Sequence, residues 1–245
     1  MLLETGYITE VVTKMNTHEL LLDVKNLNVS YNSLHVLFDA SIRIARGEVV
    51  VVVGRNGAAK TTLFRTIAGF LKQDSGSISF KGEDIGQMPA YNVAIRGLKY
   101  IHQDKHVFPD LTVRENLELG GYATKDYDWD RALEHFPKLK TLMDRKGGNL
   151  SGGERQMLLM AQSLLGKPEL ILMDEPTEGL APHFIDDLKI AFKEISKTTT
   201  MAIIEQNLPL TAEVADRVIA MKEGKIVAEI KDKQEIQDLT FEKYL

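Results

Sequence analysis

The amino-acid sequence predicts an α/β fold with a mostly parallel sheet, and three observations support that prediction. Apolar, strand-like segments alternate with helix-like segments over most of the chain. One strand-like segment consists of five valines, residues 49–53, as expected of a central strand that is covered on both faces. A glycine-rich turn follows these valines directly and leads into a helix-like segment, which is the usual order around a phosphate-binding loop.

The composition is that of an ordinary globular protein. The chain has 245 residues, of which 44% are hydrophobic and 27% charged, so it can bury a sizeable core in at most two lobes. The net charge of −5 argues against nucleic acid or an anionic lipid surface as the main partner. The sequence has no cysteine, which excludes disulfides and thiolate-bound metals, and no apolar run approaches the ~20 residues that span a bilayer.

The first residues differ in character from the rest of the chain. Residues 1–18 lack the basic start and the apolar stretch of a signal peptide. We expect residues 1–19 to be an extension, with disorder there as a hypothesis, and residues 20–245 to be the folded domain. A further hypothesis is that translation starts at Met15, which the intact mass of the protein would test.

Strands are predicted in quick succession near the N-terminus. Polar and apolar residues alternate in two segments that a turn at Asn32 and Ser33 separates. A helix is expected at 60–68 and should end at Gly69. The predicted strands of this part are 20–31, 38–44, 48–53, 77–80 and 98–102.

Helical periodicity dominates the middle of the chain, and strands return after it. Residues 111–165 have helix-like spacing of apolar residues, and we predict an inserted helical subdomain at about 104–165. A helix is predicted at 182–197, between two strands, as a right-handed crossover requires. The strands of this part are predicted at 170–173, 200–204, 217–221 and 225–230.

The turn after the valines is a candidate phosphate cradle. Its glycines let backbone N–H groups close around an anion, Lys60 supplies a positive charge, and the helix directs its positive end at the phosphates. The hydroxyl group of Thr61 can bind Mg²⁺. The candidate residues are Gly54, Arg55, Asn56, Gly57, Ala58, Ala59, Lys60, Thr61 and Thr62.

One residue departs from the phosphate-loop pattern, because Ala59 stands where the pattern has glycine. If the loop needs a positive φ there, an alanine costs roughly 1–2 kcal/mol. Carried wholly into binding, that cost would weaken nucleotide affinity by about 5- to 30-fold. The substitution is therefore a handicap rather than a loss, unless the Cβ atom also collides with a phosphate.

A second glycine-rich helix start lies at residues 150–156. Ser151 and Glu154 have the spacing of a capping box, which is a purely structural interpretation. That interpretation does not explain two adjacent glycines, Gly152 and Gly153. Their bare N–H groups and small size suit a second phosphate-binding surface.

An apolar strand that ends in two acids is the third chemical feature. Asp174 falls at the carboxyl end of the strand, beside the phosphate loop, where it can hold Mg²⁺ through water. Glu175 comes next and can orient or deprotonate an attacking water molecule. The alternative interpretation is an acidic strand end that caps the next helix.

Together, these three features resemble the ATP-binding cassette (ABC) family, in which ATP is sandwiched between two subunits. The resemblance implies a P-loop NTPase core of the ABC type, with an N-terminal antiparallel β-subdomain and an inserted helical subdomain. It also implies that Ser151, Gly152, Gly153 and Glu154 belong to a signature loop that completes the ATP site of a partner ATPase.

Weaker signals match other positions of the same family. The resemblance implies that Tyr31 stacks on adenine, and that Gln103 joins Thr61 and Asp174 around Mg²⁺. Residues 177–182 match the D-loop of the family. Gln206 stands where many members have a histidine that contacts the γ-phosphate, and slower hydrolysis is expected from a glutamine there.

Several segments are similar to one subgroup, the ATP-binding subunits of high-affinity branched-chain amino-acid importers. They are residues 107–117, 179–182 and 205–207, together with the tail at 241–245, which is similar to the end of the shorter of that importer's two ATPases. Gln206 would be ordinary in this subgroup, whereas Ala59 stays unexplained. Urea importers of the same lineage share these motifs.

The resemblance implies an ATPase at the cytoplasmic face of a membrane that it does not span. Its implied partners are a second ATPase, non-identical or a second copy, two transmembrane permease subunits and, indirectly, an extracytoplasmic substrate-binding protein. One alternative is a regulatory subunit in which Ala59 makes hydrolysis negligible. Others are a urea or amide importer and a cassette protein of translation or DNA repair, although a single cassette in a short acidic chain argues against the last.

Overall fold

The structure, a computed structural model, describes residues 19–104 and 106–244. The expectations for residues 1–18, including a start at Met15, lie outside this part of the chain. No helix within the described ranges is long and apolar enough to cross a membrane.

Ten strands form in the described part of the chain. They are β1 (Leu20–Tyr31), β2 (Leu34–Ala45), β3 (Val49–Val53), β4 (Ser75–Phe80), β5 (Glu83–Asp84), β6 (Leu98–Ile101), β7 (Leu170–Asp174), β8 (Thr200–Ile204), β9 (Arg217–Lys222) and β10 (Lys225–Ile230). One antiparallel sheet has the order β2-β1-β4-β5, and a second sheet has the order β10-β9-β3-β8-β7-β6. The second sheet is parallel except at β10, which confirms the predicted fold class.

Eight α-helices accompany the strands in the same residues. They are α1 (Lys60–Ile67), α2 (Ala90–Ile95), α3 (Val113–Tyr122), α4 (Trp129–His135), α5 (Gly152–Leu164), α6 (Pro182–Ile195), α7 (Leu208–Val214) and α8 (Lys233–Gln237). Short 3-10 turns lie at Pro137–Thr141, Gly147–Asn149 and Thr240–Tyr244. Helices α3, α4 and α5 all fall between β6 and β7, in the region where an inserted helical subdomain is predicted.

The five valines of β3 divide the interior into two cores. Val50 and Val52 pack with the antiparallel sheet and α1, whereas Val49, Val51 and Val53 pack with α3, α5 and α6. Successive residues of a strand point to opposite faces. All five side chains are buried because both faces of β3 are covered. The strand therefore emerges between two packed layers and delivers the phosphate loop to the edge of the sheet.

Several predicted boundaries are wrong by a few residues. Strand β2 begins at Leu34, four residues before the predicted start. The sequence pattern did not reveal this earlier start, because Leu34 and His35 are exposed and show no burial pattern. Helix α6 ends at Ile195 rather than 197. The sequence interpretation did not anticipate β5, α2, α7 or α8, which are short elements of two to seven residues.

Candidate functional site

The phosphate loop is pressed against the end of β9. Gly54 has a φ of +153°, and a Cβ atom there would lie 2.3 Å from the carbonyl oxygen of Met221. Only glycine fits such a close approach between two backbones. Gly57 also has a left-handed φ, of +83°. The loop therefore has the curled backbone that a phosphate cradle requires.

Ala59 occupies the left-handed conformation that the glycine of the pattern would adopt. Its φ is +69° and its ψ is +20°, and it directly precedes α1 without a side-chain cap. The loop therefore does have a positive φ at residue 59, and this backbone conformation costs an L-residue roughly 1–2 kcal/mol. The strain resides in the folded loop itself.

Lys60 lies inside the loop. Its side chain is buried, and Nζ donates hydrogen bonds to the carbonyl oxygens of Gly54, at 2.7 Å, and Arg55, at 3.1 Å. Burial lowers the pKa of Lys60, whereas the carboxylates of Glu175 and Asp174 act in the opposite direction. The ammonium group is thus held where an anion in the loop would meet it.

Asp174 ends β7 with one oxygen bonded and the other free. Its Oδ2 accepts a hydrogen bond from the hydroxyl group of Tyr100 at 3.0 Å, while the buried Oδ1 has no hydrogen-bond partner. Burial raises the pKa of Asp174, and the nearby hydroxyl groups of Thr61 and Tyr100 oppose that shift, although Thr61 makes no hydrogen bond with Oδ1. A buried carboxylate oxygen without a partner, close to a threonine hydroxyl, fits a water-mediated Mg²⁺ site.

Two glutamines hold the carboxylate group of Glu175. Nε2 of Gln206 lies 2.6 Å from Oε1, and Nε2 of Gln103 lies 3.3 Å from Oε2. The same amide of Gln206 also donates to Oδ1 of Asn56 in the phosphate loop, at 3.0 Å. The alternative that these acids cap the next helix is wrong, because α6 starts after Ala181 with no side-chain cap.

Four loops therefore meet at one edge of the parallel sheet. The loops after β3, β6, β7 and β8 contribute Asn56, Gln103, Glu175 and Gln206, and hydrogen bonds connect the four side chains. Adjacent to this junction is a cavity of about 360 Å³, lined by Val36, Asn56, Gly57, Ala58, Ala59, Lys60, Thr61, Thr62, Gln103, Glu175 and Glu178. The carboxyl edge of a parallel sheet is the usual place for a ligand in an open α/β fold.

Tyr31 lies at the end of β1, near the phosphate loop. Its side chain is half exposed, and its hydroxyl group is 3.5 Å from that of Thr62 at the start of α1. The ring therefore stands above the loop with part of its surface free, as a stacking platform for a base would.

The sequence interpretation missed two residues of this edge. Tyr100 is one, and burial together with Asp174 raises its pKa well above the usual range, so the phenol stays a proton donor. The other is Glu205, which is 3% exposed and accepts hydrogen bonds from Thr177 Oγ1 at 2.8 Å and from the backbone N–H groups of Gln206 and Asn207. The available signal was position in the sequence, because Tyr100 lies three residues before Gln103 and Glu205 directly precedes Gln206.

The predicted capping box exists at the second glycine-rich loop. The backbone N–H of Glu154 donates to Ser151 Oγ at 3.3 Å, and the N–H of Ser151 donates to the Glu154 carboxylate at 2.9 Å. Among the residues that the structure describes, no hydrogen bond joins 151–154 to the phosphate loop, and these four do not line its cavity.

His102, which directly precedes Gln103, is half-buried among aromatic rings. Its ring packs against Tyr100, with centroids 4.3 Å apart, and against Phe70, with centroids 4.7 Å apart. Burial lowers the pKa of His102, and Arg65 adds to the shift. His106 is exposed.

A family profile described as ABC transporter matches residues 37–178. The chain is also 35% identical over 212 residues to the high-affinity branched-chain amino acid transport ATP-binding protein BraG of Pseudomonas aeruginosa, with 84% of this chain and 91% of the relative covered. The chain belongs to the ABC transporter family.

Other relatives of this ABC protein point in two directions. It is 37% identical to the probable branched-chain amino acid transport ATP-binding protein LivF of Archaeoglobus fulgidus, over 82% of this chain and 87% of the relative. It is 35% identical to the lipopolysaccharide export system ATP-binding protein LptB of Haemophilus influenzae, over 85% of this chain and 89% of the relative.

Solved structures support the same family. The ADP conformation of MJ1267, an ATP-binding cassette of an ABC transporter, has a TM-score of 0.77 at 29% identity, with 89% of this chain and 94% of that chain covered. The chain is an ABC-type ATPase, and its family binds and hydrolyses ATP.

Proposed function

We propose that this ABC ATPase binds and hydrolyses ATP to drive an importer of branched-chain or other hydrophobic amino acids. The observation that carries the proposal is the convergence of four loops on Glu175, beside a phosphate loop that contains a buried lysine. The relatives BraG and LivF, named as branched-chain amino acid transport proteins, support the substrate class.

The residues of the phosphate loop would bind ATP by complementary charge. Backbone N–H groups of 54–62 and the ammonium group of Lys60 would contact the phosphates, and the free face of Tyr31 would stack on adenine. Thr61, Gln103 and Asp174 would hold Mg²⁺. When bound, Mg²⁺ supplies neutralisation of the phosphate charge.

Glu175 would orient the attacking water molecule and take its proton. Its carboxylate is fixed on both oxygens by the amides of Gln103 and Gln206, which are neutral donors and leave its charge in place. Gln206 spans from Glu175 to Asn56, so its amide lies between the water-orienting group and the phosphate loop. A donor in that position would stabilise the charge that develops on the terminal phosphate.

A second ATPase would complete the site. ABC ATPases work as dimers with membrane permease subunits, and we assign Ser151, Gly152, Gly153 and Glu154 to the site of a partner ATPase, non-identical or a second copy. Support comes from the cavity at the phosphate loop, whose lining does not include these four residues.

Two permease subunits at the cytoplasmic face of the membrane would dock beside the helices after β6. A groove of about 550 Å³ there is lined by residues that include Arg65, Lys99, His102 and Leu119. Phe108 and Tyr122 are 58% and 73% exposed near the same helices. An extracytoplasmic binding protein would act indirectly through the permeases.

A purified sample of the chain tests the proposal directly. We expect Mg²⁺-dependent phosphate release from ATP, and a loss of about 100-fold or more in the Glu175→Gln variant, which should still bind ATP. Glu118→Gln, on the exposed side of α3, is the matched control. Unimpaired hydrolysis in Glu175→Gln would remove Glu175 from this role, and turnover in Ala59→Gly but not in the natural chain would favour the regulatory alternative.

A test of the transported substrate requires the assembled transporter. When the chain is reconstituted in liposomes with its permeases and binding protein, we expect its rate of ATP hydrolysis to rise on addition of leucine, isoleucine or valine. Stimulation by urea or an amide instead would support the importer alternative, and coupling to lipopolysaccharide would place the chain with its LptB relatives.

A further inference from the structure

The ring of Phe184 lies directly against the backbone of Gly153. A Cβ atom at Gly153 would be 2.3 Å from Cγ of Phe184 and within 2.5 Å of two further ring atoms. Both residues are buried, and Phe184 belongs to the first turn of α6, which follows the D-loop segment 177–182. The signature helix α5 and helix α6 therefore touch through a glycine and an aromatic ring, with no room for a side chain between them.

The neighbouring glycine has no such contact. A Cβ atom at Gly152 would lie 4.0 Å from a methyl carbon of Leu180, an ordinary van der Waals distance. The two glycines of the signature loop thus differ in kind. Gly152 leaves open space in front of the loop, whereas Gly153 is required by packing within the chain.

The same ring is connected to Ser151 by a chain of charged contacts. Nζ of Lys138 lies 4.9 Å from the centroid of the Phe184 ring, a cation–π distance, and 3.3 Å from the carboxylate of Glu154. Glu154 in turn accepts the hydrogen bond of the Ser151 N–H group. The position of Ser151 is therefore linked to the start of α6 both through Gly153 and through Lys138.

We propose that Phe184 is a positioning residue for the signature loop. Its ring is the seat for Gly153, and it fixes the start of α5 relative to the D-loop, so that Ser151 and Gly152 are presented to the nucleotide of the second ATPase. This inference rests on the proposed function, because it assigns a task to the loop only if a partner's ATP is bound there.

A double-mutant cycle tests the seat. Gly153→Ala should lower the turnover number of ATP hydrolysis by about 10-fold or more, since the ring must move, while the affinity of the chain's own phosphate loop for ATP stays unchanged. Phe184→Met keeps apolar volume but provides a flexible side chain that can swing aside. In that background, Gly153→Ala should cost at most about 2-fold. Gly152→Ala is the matched control, and its effect should be the same with either residue at 184.

The outcomes separate the inference from the proposed function. Equal damage from Gly153→Ala in both backgrounds, or no damage beside Phe184, would overturn the seat while hydrolysis itself remained. Absence of turnover in the unaltered chain and in its Ala59→Gly variant would overturn the proposed function, and the inference with it. If Phe184→Met fails to fold, the Lys138→Gln variant is the second test. It removes the contacts of Lys138 with the Phe184 ring and with Glu154, which should lower turnover without changing the affinity for ATP.

Discussion

The phosphate loop and the signature loop both place glycines at the start of a helix, yet their backbones differ. In the phosphate loop, Gly54, Gly57 and Ala59 all have positive φ, and α1 has no side-chain cap. In the signature loop, Ser151 is extended and caps α5 through a reciprocal bond with Glu154. In the phosphate loop the N–H group of Ala58 bonds to the carbonyl oxygen of Arg55, whereas the capping box of the signature loop uses the N–H groups of both Ser151 and Glu154. Glycine content alone therefore does not distinguish the two kinds of site.

The largest expected difference concerns the affinity of the chain for ATP. Lys60→Met should weaken Mg·ATP binding by about 10- to 100-fold, because a charge-assisted contact with phosphate is lost. Ser151→Ala should leave that affinity unchanged and lower stability by about 1 kcal/mol through loss of the cap. Calorimetric titration with a non-hydrolysable ATP analogue and a thermal melt measure both effects. Equal weakening by the two substitutions would break the comparison.

The next effect sharpens the comparison at the strained residue. Ala59→Gly should raise stability by about 1 kcal/mol, or about 2–4 °C in Tm, because relief of the left-handed strain exceeds the added chain entropy. Ala58→Gly is the control, since Ala58 is buried and has no positive φ, and it should lower Tm. Tighter ATP binding by the Ala59→Gly variant, by up to about 30-fold, would show that the strain also weakens binding. No change in Tm or affinity would contradict the strain argument.

A smaller effect is expected where β6 supports the phosphate-loop side. Tyr100→Phe removes the hydrogen bond to Asp174 and should raise the Mg²⁺ concentration for half-maximal hydrolysis by about 2- to 10-fold. Tyr91→Phe, at a residue that is 67% exposed, is the control. An unchanged Mg²⁺ requirement would show that Asp174 is held without the phenol.

The smallest effect is a pH dependence at Glu205. Burial raises the pKa of Glu205 in the folded chain, so its ionised form is destabilising there at neutral pH, and that cost is relieved as pH falls through the raised pKa towards the ordinary value. The stability of Glu205→Gln relative to the unaltered chain should therefore decline on going from pH 7 to pH 4.5, by at most about 1 kcal/mol. Thermal melts at each pH measure this relative stability. A value that is constant over this range would mean that the three hydrogen bonds to Glu205 offset its burial.

Much of the fold could be predicted because its strands have strong patterns. The valines of β3 and the apolar runs of β7 and β8 are buried on both faces, and their positions were predicted within one residue. The short elements α2, α7 and α8 could not be predicted, since each has only one to two buried residues and no full period of apolar spacing. Edge strand β5, with both residues exposed, carries no pattern at all.

The residues of the candidate site likewise divide into those that could be predicted from the sequence and those that could not. Residues at the ends of strongly patterned strands, such as Asp174 and Glu175, could be placed beside the phosphate loop from the sequence. The contacts of Tyr100 and Glu205 depend on which strands are neighbours, and the sheet order β3-β8-β7-β6 is not written in local spacing. The pairing of Gly153 with Phe184 is likewise a tertiary contact, between residues about thirty positions apart.

The two glycine positions of the phosphate-loop pattern differ in how they tolerate mutation. At residue 54, any side chain would meet the carbonyl oxygen of Met221, so a substitution would require the end of β9 to move. At residue 59, alanine is accommodated in a left-handed backbone conformation. A glycine-to-alanine exchange needs a single base change. The fold tolerates that exchange at the helical end of the loop, whereas contact with β9 prevents it at the strand end.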